Sequence, residues 1–324
     1  MPRLRIADTA SPGWTRRNYG RGYRVFDEHG ALVDHAAELE RVSALAIPPA
    51  WKKVWIAPYA NAHIQAVGID AAGRRQYIYH EQWTRKQAAL KYDRALELAA
   101  QLPQARGRVT RALRSDSGSR ERALAVAFRL LDTAHLRVGG ERYAVEHGSR
   151  GLSTLNCSDA SVHGDTVELH FLGKGGVEWS SETTDAELAT AVRTLKRRGA
   201  GERLLAWRDG DQWHPLHASE INDYVRECAG GEFTAKDFRT LSGTIAAAST
   251  LAGIGCRNST AARQKAVRAA VVATAELLGN TPAIAKGSYI DPRVFDRYRD
   301  GQLLQTRAVS GESALRALLL GAQD

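Results

Sequence analysis

The spacing of apolar positions changes along this chain, and the changes mark its elements. Between residues 23 and 80, short aromatic and β-branched runs alternate with turn residues, the period-two signature of strands. Residues 23–26, a turn at 27–30 and residues 31–33 predict a hairpin. A short helix over 39–45 should end at Ile47-Pro48-Pro49. Residues 53–56 and 63–68 read as two strands separated by Pro58 and Asn61, and a turn at 70–73 leads into a third strand over 75–80. On that strand Gln76, Ile78 and His80 share one face, Tyr77 and Tyr79 the other.

From Trp83 the period becomes helical. Ala88, Ala89, Tyr92, Leu96 and Ala99 predict a helix over 85–102, which Pro103 and Gly107 should interrupt. Another helix is expected over 120–135. A three-stranded meander follows at 151–157, 166–171 and 177–180, with Lys174 at a glycine-rich hairpin tip. Thr184 and Glu187 form a candidate capping box for a helix to residue 198. Further helices are expected at 218–227, 235–251, 263–278 and 313–320. Thr281-Pro282 should start a short helix stopping at Gly287, and Asp291-Pro292 another over 293–300, leaving Tyr289 in the link. The fold class expected is α+β: a small β-rich N-terminal domain over 1–90 and a mainly α-helical domain over 91–324 with a three-stranded antiparallel sheet.

Charge adds a partner. The 324 residues carry 45 Lys+Arg against 36 Asp+Glu, a net +9, which favours a polyanion. The length suffices for two cores. Three scattered cysteines without a C-x-x-C pair read as free thiols, not a zinc site or a disulfide framework. The N-terminus lacks the apolar core of a signal peptide, and no apolar run reaches membrane-spanning length, so a cytoplasmic protein is expected. There is neither a phosphate-binding Gly-x-x-x-x-Gly-Lys-Ser/Thr loop nor a His-Glu-x-x-His motif, and no cofactor or metal is expected.

Taken singly, the candidate chemical groups stay ambiguous. Tyr289 fits a packing role as well as a nucleophile; Lys174 fits a solvated turn; Arg137 and Arg239 fit surface or helix-face charges; Asn280 fits a helix entry.

Their order along the chain says more. Lys236-Asp237-Phe238-Arg239-Thr240, Leu278-Gly279-Asn280 and Ser288-Tyr289-Ile290 together resemble the type IB DNA topoisomerases, of the compact poxvirus-like kind found in bacteria. In the N-terminal half, Ile47-Pro48-Pro49-Ala50-Trp51, His63-Ile64-Gln65-Ala66 and Gly73-Arg74-Arg75-Gln76-Tyr77-Ile78-Tyr79-His80 resemble that family's small domain, so the likeness covers almost the whole chain. It implies a two-domain clamp on duplex DNA, acting as a monomer, that relaxes supercoils of either sign through a 3′-phosphotyrosyl link to Tyr289, without ATP or metal. It also implies that Arg137, Arg239 and Asn280 stabilise the transition state and that Lys174 is the general acid. Asn280 departs from the histidine of the poxviral and nuclear branches; asparagine can donate a hydrogen bond but cannot titrate. Gln76, Tyr77, Tyr79 and Lys236 match family contacts to DNA, and Arg263, Lys265 and Arg268 on one helix add candidate phosphate contacts. The rival readings are a tyrosine site-specific recombinase, which shares the chemistry, and a non-catalytic architectural DNA-binding protein.

Overall fold

Trp14, Val25, Val54, Ile56 and Ala66 fall on one face of neighbouring strands, and their burial makes the core of an N-terminal sheet. The strands are β1 (Trp14–Tyr19), β2 (Gly22–Phe26), β3 (Lys52–Ile56), β4 (Ile64–Ile69) and β5 (Arg75–Tyr79), in the antiparallel order β2-β1-β3-β4-β5. Helix α1 (Ala36–Ala44) adds Val42 to the core, and Gly68 is so close to Trp51 that a Cβ would lie 2.6 Å from its ring. The computed structural model describes residues 3–20, 22–305 and 310–321, and the chain divides into two compact units, Met1–Leu90 and Lys91–Asp324.

The expected hairpin across 27–30 is present but short, with Asp27 N–H donating to Ala31 O and Val33 N–H to Val25 O, both at 2.9 Å. The long partner of β2 is β1, paired from Thr15↔Phe26 to Tyr19↔Gly22, and residues 31–33 contribute one bridge, Phe26↔Leu32. Strand β1 escapes a periodicity reading because only Trp14 of its six residues is buried.

Helix α2 (Glu81–Leu113) runs unbroken through Pro103, against the expected interruption. An interior proline costs a helix about 3 kcal/mol. Here the buried stripe continues on both sides of it, through Leu98, Ala99, Leu102, Ala105, Val109 and Leu113. Each fully buried aliphatic side chain returns roughly 1.5–3 kcal/mol, so packing decides the outcome.

Helix α3 (Arg120–Ala134) is the centre of the second unit: Ala123 through Phe128, Leu130 and Leu131 are all buried, as in a helix surrounded by others. Phe128 meets Phe238 edge-on at 5.2 Å between ring centroids. After α4 (Glu141–His147), the three-stranded sheet is antiparallel as expected, but its strands are β6 (Ala160–His163), β7 (Thr166–Leu172) and β8 (Glu178–Thr184). Residues 151–157 are not a strand; they form tight turns around Leu152–Thr154 and Cys157–Asp159 that receive the backbone after α3, with Leu152 N–H donating to Arg137 O.

Helix α5 (Ala186–Lys196) is capped by Asp185, whose carboxylate accepts from Leu188 N–H; the Thr184–Glu187 box is therefore displaced by one residue. Thr184 belongs to β8, and Glu187 pairs with Arg114. A hairpin not expected from the sequence, β9 (Ala206–Asp209) and β10 (Gln212–Pro215), follows. The remaining helices are α6 (Ala218–Ala229), α7 (Ala235–Ile254), α8 (Thr260–Leu278), α9 (Pro282–Ser288), α10 (Arg293–Arg299) and α11 (Gly311–Leu320). Among the described residues no helix is long and apolar enough to cross a membrane.

Candidate active site

Helix α3 stops at His135, a non-glycine residue in the left-handed region (φ 54°), and this turn directs Leu136 into the core and Arg137 out of it. The Arg137 guanidinium donates through Nη2 to Gly279 O (3.1 Å) and to Asn280 Oδ1.

Arg239 lies one helical turn after the first residues of α7 and is 2% exposed. Its fork donates to two main-chain carbonyls, His135 O and Leu278 O, the latter at 2.7 Å. One arginine thus ties the end of α3 to the end of α8. Its guanidinium carbon lies 5.0 Å from the centroid of the Tyr289 ring. Burial, then the charge of Arg137, pull the Arg239 guanidinium down to about 10, while Tyr289 opposes the shift. Burial lowers Arg137 as well. Two partly desolvated cations have therefore been gathered around one phenol.

Asn280 follows Gly279, the left-handed cap of α8 (φ 55°). A Cβ on Gly279 would meet the Trp179 ring at 2.8 Å, so the close approach of β8 requires glycine. With Oδ1 taken by Arg137, Asn280 Nδ2 is buried without an acceptor among the described residues, and Arg239 Nε is in the same state. One guanidinium nitrogen and one amide nitrogen are thus donors without acceptors next to the Arg137 guanidinium, a combination that favours an anion.

The start of α9 is as the sequence predicts, with Thr281 Oγ1 accepting from Ile284 N–H at 3.4 Å and Pro282 in the first turn, but the helix runs past the expected stop at Gly287 to Ser288, and Tyr289 caps it with its N–H donating to Ala285 O at 2.9 Å. Lys174 projects from the β7–β8 tip, where Gly175 and Gly176 take positive φ (78° and 73°) and Gly173 N–H closes the turn on Val177 O. A cleft of about 630 Å³ is lined by Arg137, Lys174, Asn280 and Tyr289, with Val272 and Ile284 on its apolar wall. Arg239 does not line it and reaches the site through its contact with the Tyr289 ring. The structure thus brings together all five candidate catalytic residues.

The candidate DNA contacts are dispersed. Tyr77 and Tyr79 are 40% and 44% exposed on β5 of the first unit, stacked with centroids 5.9 Å apart. Gln76 faces the other way, and its amide donates to Asp70 Oδ2 at 2.9 Å. Lys236 is exposed in the first turn of α7, three residues before Arg239. Lys265 and Arg268 are exposed on α8, but Arg263 points roughly 160° away from Lys265 around the helix. Arg263 Nε donates to Arg257 O at 2.7 Å, so the three do not form one basic face. Sequence reasoning missed His135, Gly243, Thr244 and Lys91. They act through main-chain contacts to residues over a hundred, about forty-five or nearly two hundred positions away, and no local pattern announces such contacts. Among the described residues no three His, Cys, Asp or Glu side chains gather so as to hold a metal ion.

Comparison with known proteins agrees with this arrangement. Residues 80–307 match the family described as eukaryotic DNA topoisomerase I, catalytic core, and residues 22–70 match the bacterial DNA topoisomerase IB N-terminal domain. DNA topoisomerase 1B of Acanthamoeba polyphaga mimivirus is 27% identical over 287 residues, 86% of this chain and 84% of the relative. DNA topoisomerase 1 of Mycosarcoma maydis is 25% identical over 173 residues, and that of Daucus carota 27% over 129; these cover 48% and 39% of this chain but only 17% and 15% of the relatives. With a catalytic-core match spanning most of the second unit and a bacterial N-terminal match in the first, the chain belongs to the type IB DNA topoisomerase family.

Proposed function

We propose that Tyr289 is the nucleophile of a DNA strand-transfer reaction carried out by a monomer on duplex DNA. The observation that carries this reading is the convergence of Arg137, Arg239 and Asn280 on one phenol, with Asn280 Nδ2 and Arg239 Nε buried and lacking acceptors among the described residues. Tyr289 Oη attacks the phosphorus of a backbone phosphodiester in line with the 5′-oxygen, and its proton is lost as the bond forms. The P–O5′ bond breaks, leaving a 3′-phosphotyrosyl link and a free 5′-hydroxyl. Lys174, on its exposed tip, gives the departing oxygen its proton. Arg137, Arg239 and Asn280 hold the non-bridging oxygens, where charge accumulates. A donor in such a site contributes roughly 3–4 kcal/mol.

Because the phosphotyrosyl link retains the energy of the broken bond, the 5′-hydroxyl can attack it and reseal the strand. Rotation of the duplex in between relaxes supercoils of either sign, and no nucleotide is consumed. Tyr77, Tyr79, Lys236, Lys265 and Arg268 are proposed to contact DNA, positioning it without reading sequence. Both family matches set aside the recombinase reading that the shared chemistry leaves open. All five groups of the site lie on one chain, which supports the monomer.

Incubation with positively and negatively supercoiled plasmid, in EDTA and without ATP, tests the reading. Ladders of relaxed topoisomers are expected from both. A mobility shift without relaxation would indicate an architectural protein instead.

A further inference from the structure

The main chain that carries Tyr289 is held at several points. Tyr289 N–H donates to Ala285 O at 2.9 Å. The buried hydroxyl of Thr244 gives its proton to Thr240 O (2.7 Å), with Tyr289 O 3.2 Å away, and accepts from Asp291 N–H (3.2 Å), which ties down the chain on the far side. On the near side a charged group does this work. Lys91, on α2, donates from Nζ to Ser288 O at 3.1 Å, 197 positions away in sequence. The same ammonium lies 4.1 Å from the centroid of the Tyr92 ring.

A lysine usually keeps its ammonium in water or beside a carboxylate. Lys91 is half-buried; burial, then the charge of Lys236, hold its pKa down to about 8, with Asp291 opposing. Its ammonium is directed at one carbonyl, that of the residue immediately before the nucleophile. The direction of a Cα–Cβ bond is set by the two peptide planes that flank it. Lys91 and Ala285 O hold the carbonyl and the N–H of the Ser288–Tyr289 plane, and Thr244, accepting from Asp291 N–H, holds the chain just beyond it. The Tyr289 ring therefore swings from a fixed root.

We propose that Lys91 is a positioning residue for the cleavage reaction, holding the Ser288 carbonyl so that the Tyr289 phenol is aimed at the scissile phosphorus. The proposal rests on Tyr289 being the nucleophile. It assigns Lys91 an effect on the rate of bond making, whereas a phosphate-contacting lysine would act on affinity and its salt dependence.

The test uses the full chain and a duplex whose leaving strand, the short piece that carries the free 5′-hydroxyl, dissociates, so that adduct formation is read in a single turnover at saturating enzyme. Lys91→Met, Lys91→Arg and Tyr289→Phe are compared with wild type, and DNA affinity is measured in parallel. A misplacement of about 1 Å can cost ~100-fold in rate, so Lys91→Met should form adduct about 10–100-fold more slowly, with an affinity within about 3-fold of wild type. Lys91→Arg, which can still donate to the carbonyl, should recover most of the loss. Lys91→Met reacting at the wild-type rate, losing affinity while keeping its rate at saturation, or showing no rescue by arginine would overturn the proposal. Tyr289→Phe separates the two claims: adduct formation by that variant defeats the nucleophile itself, whereas an inert Tyr289→Phe beside a normal Lys91→Met defeats only the role of Lys91.

Discussion

Arg137 donates to Asn280 Oδ1, and that contact decides which way the Asn280 amide faces. The oxygen is engaged by the guanidinium, so the NH2 is the end left without a partner among the described residues. An asparagine can thereby serve where an imidazole would otherwise donate, its orientation being supplied by its neighbour.

Asn280→Asp separates the two ends of the amide. The carboxylate keeps an acceptor for Arg137 but puts negative charge where a donor is required. Cleavage should slow by about 10²–10³-fold and be no faster than in Asn280→Ala, while thermal stability stays close to wild type. Single-turnover cleavage alongside a melting curve measures both.

Gly243 sits in α7 against the main chain of Tyr289. A Cβ there would lie 2.8 Å from Tyr289 O, 3.0 Å from Leu278 Cδ1 and 3.2 Å from Tyr289 Cβ. In an exposed helix, glycine to alanine gains up to ~1 kcal/mol. Gly243→Ala should lose stability and cut cleavage at least ~10-fold, because backbone and β-carbon have nowhere to retreat. Chemical denaturation and adduct kinetics on this one variant check the prediction.

The two arginines should differ when truncated. Arg239 is buried and supplies the donors for His135 O and Leu278 O, so Arg239→Ala strands two carbonyls. A loss on the order of 2–4 kcal/mol is expected along with activity. Arg137 is half-buried, and Arg137→Ala should abolish cleavage at a smaller cost in folding. Urea midpoints compared at equal slope distinguish them.

Lys91 also makes a prediction about pH. Its amine is held near 8 in the folded chain against an ordinary 10.5, so between those values the unfolded chain binds the extra proton. Stability from this group therefore rises with pH across that window. The shift of Arg239 to about 10 adds slope of the same sign only as pH nears 10 and is common to both proteins, and that of Tyr92 to about 12 adds little. Urea titrations of wild type and Lys91→Met between pH 8 and 10 should diverge in favour of wild type as pH rises.

Much of the site was legible because its residues stand in short, punctuated segments. Thr281-Pro282 and Asp291-Pro292 mark helix starts by local chemistry, and Tyr289 falls between them wherever the tertiary structure goes. Strands β3, β4 and β5 and the α7 and α8 helices were legible for the same reason. Local rules failed where burial outweighed them. Pro103 was expected to break a helix that continues because both sides of it are packed. Strand β1 has a mostly exposed surface and is held by pairing with β2 and β3. Arg263, Lys265 and Arg268 are close in sequence, yet a helix turns Arg263 away from the others. His135 O, Thr244 and Lys91 were invisible for a different reason. Their contribution is a hydrogen bond to a distant main chain, which depends on packing that composition does not encode.

The most direct test of the central claim is to trap the covalent DNA adduct, digest both polymers, and locate the nucleotide-bearing peptide by mass spectrometry in wild type and Tyr289→Phe. The structure predicts a single modified residue, Tyr289, joined to a 3′-phosphate, and no adduct from the phenylalanine variant. An adduct on any other side chain, or one that persists in Tyr289→Phe, would contradict it.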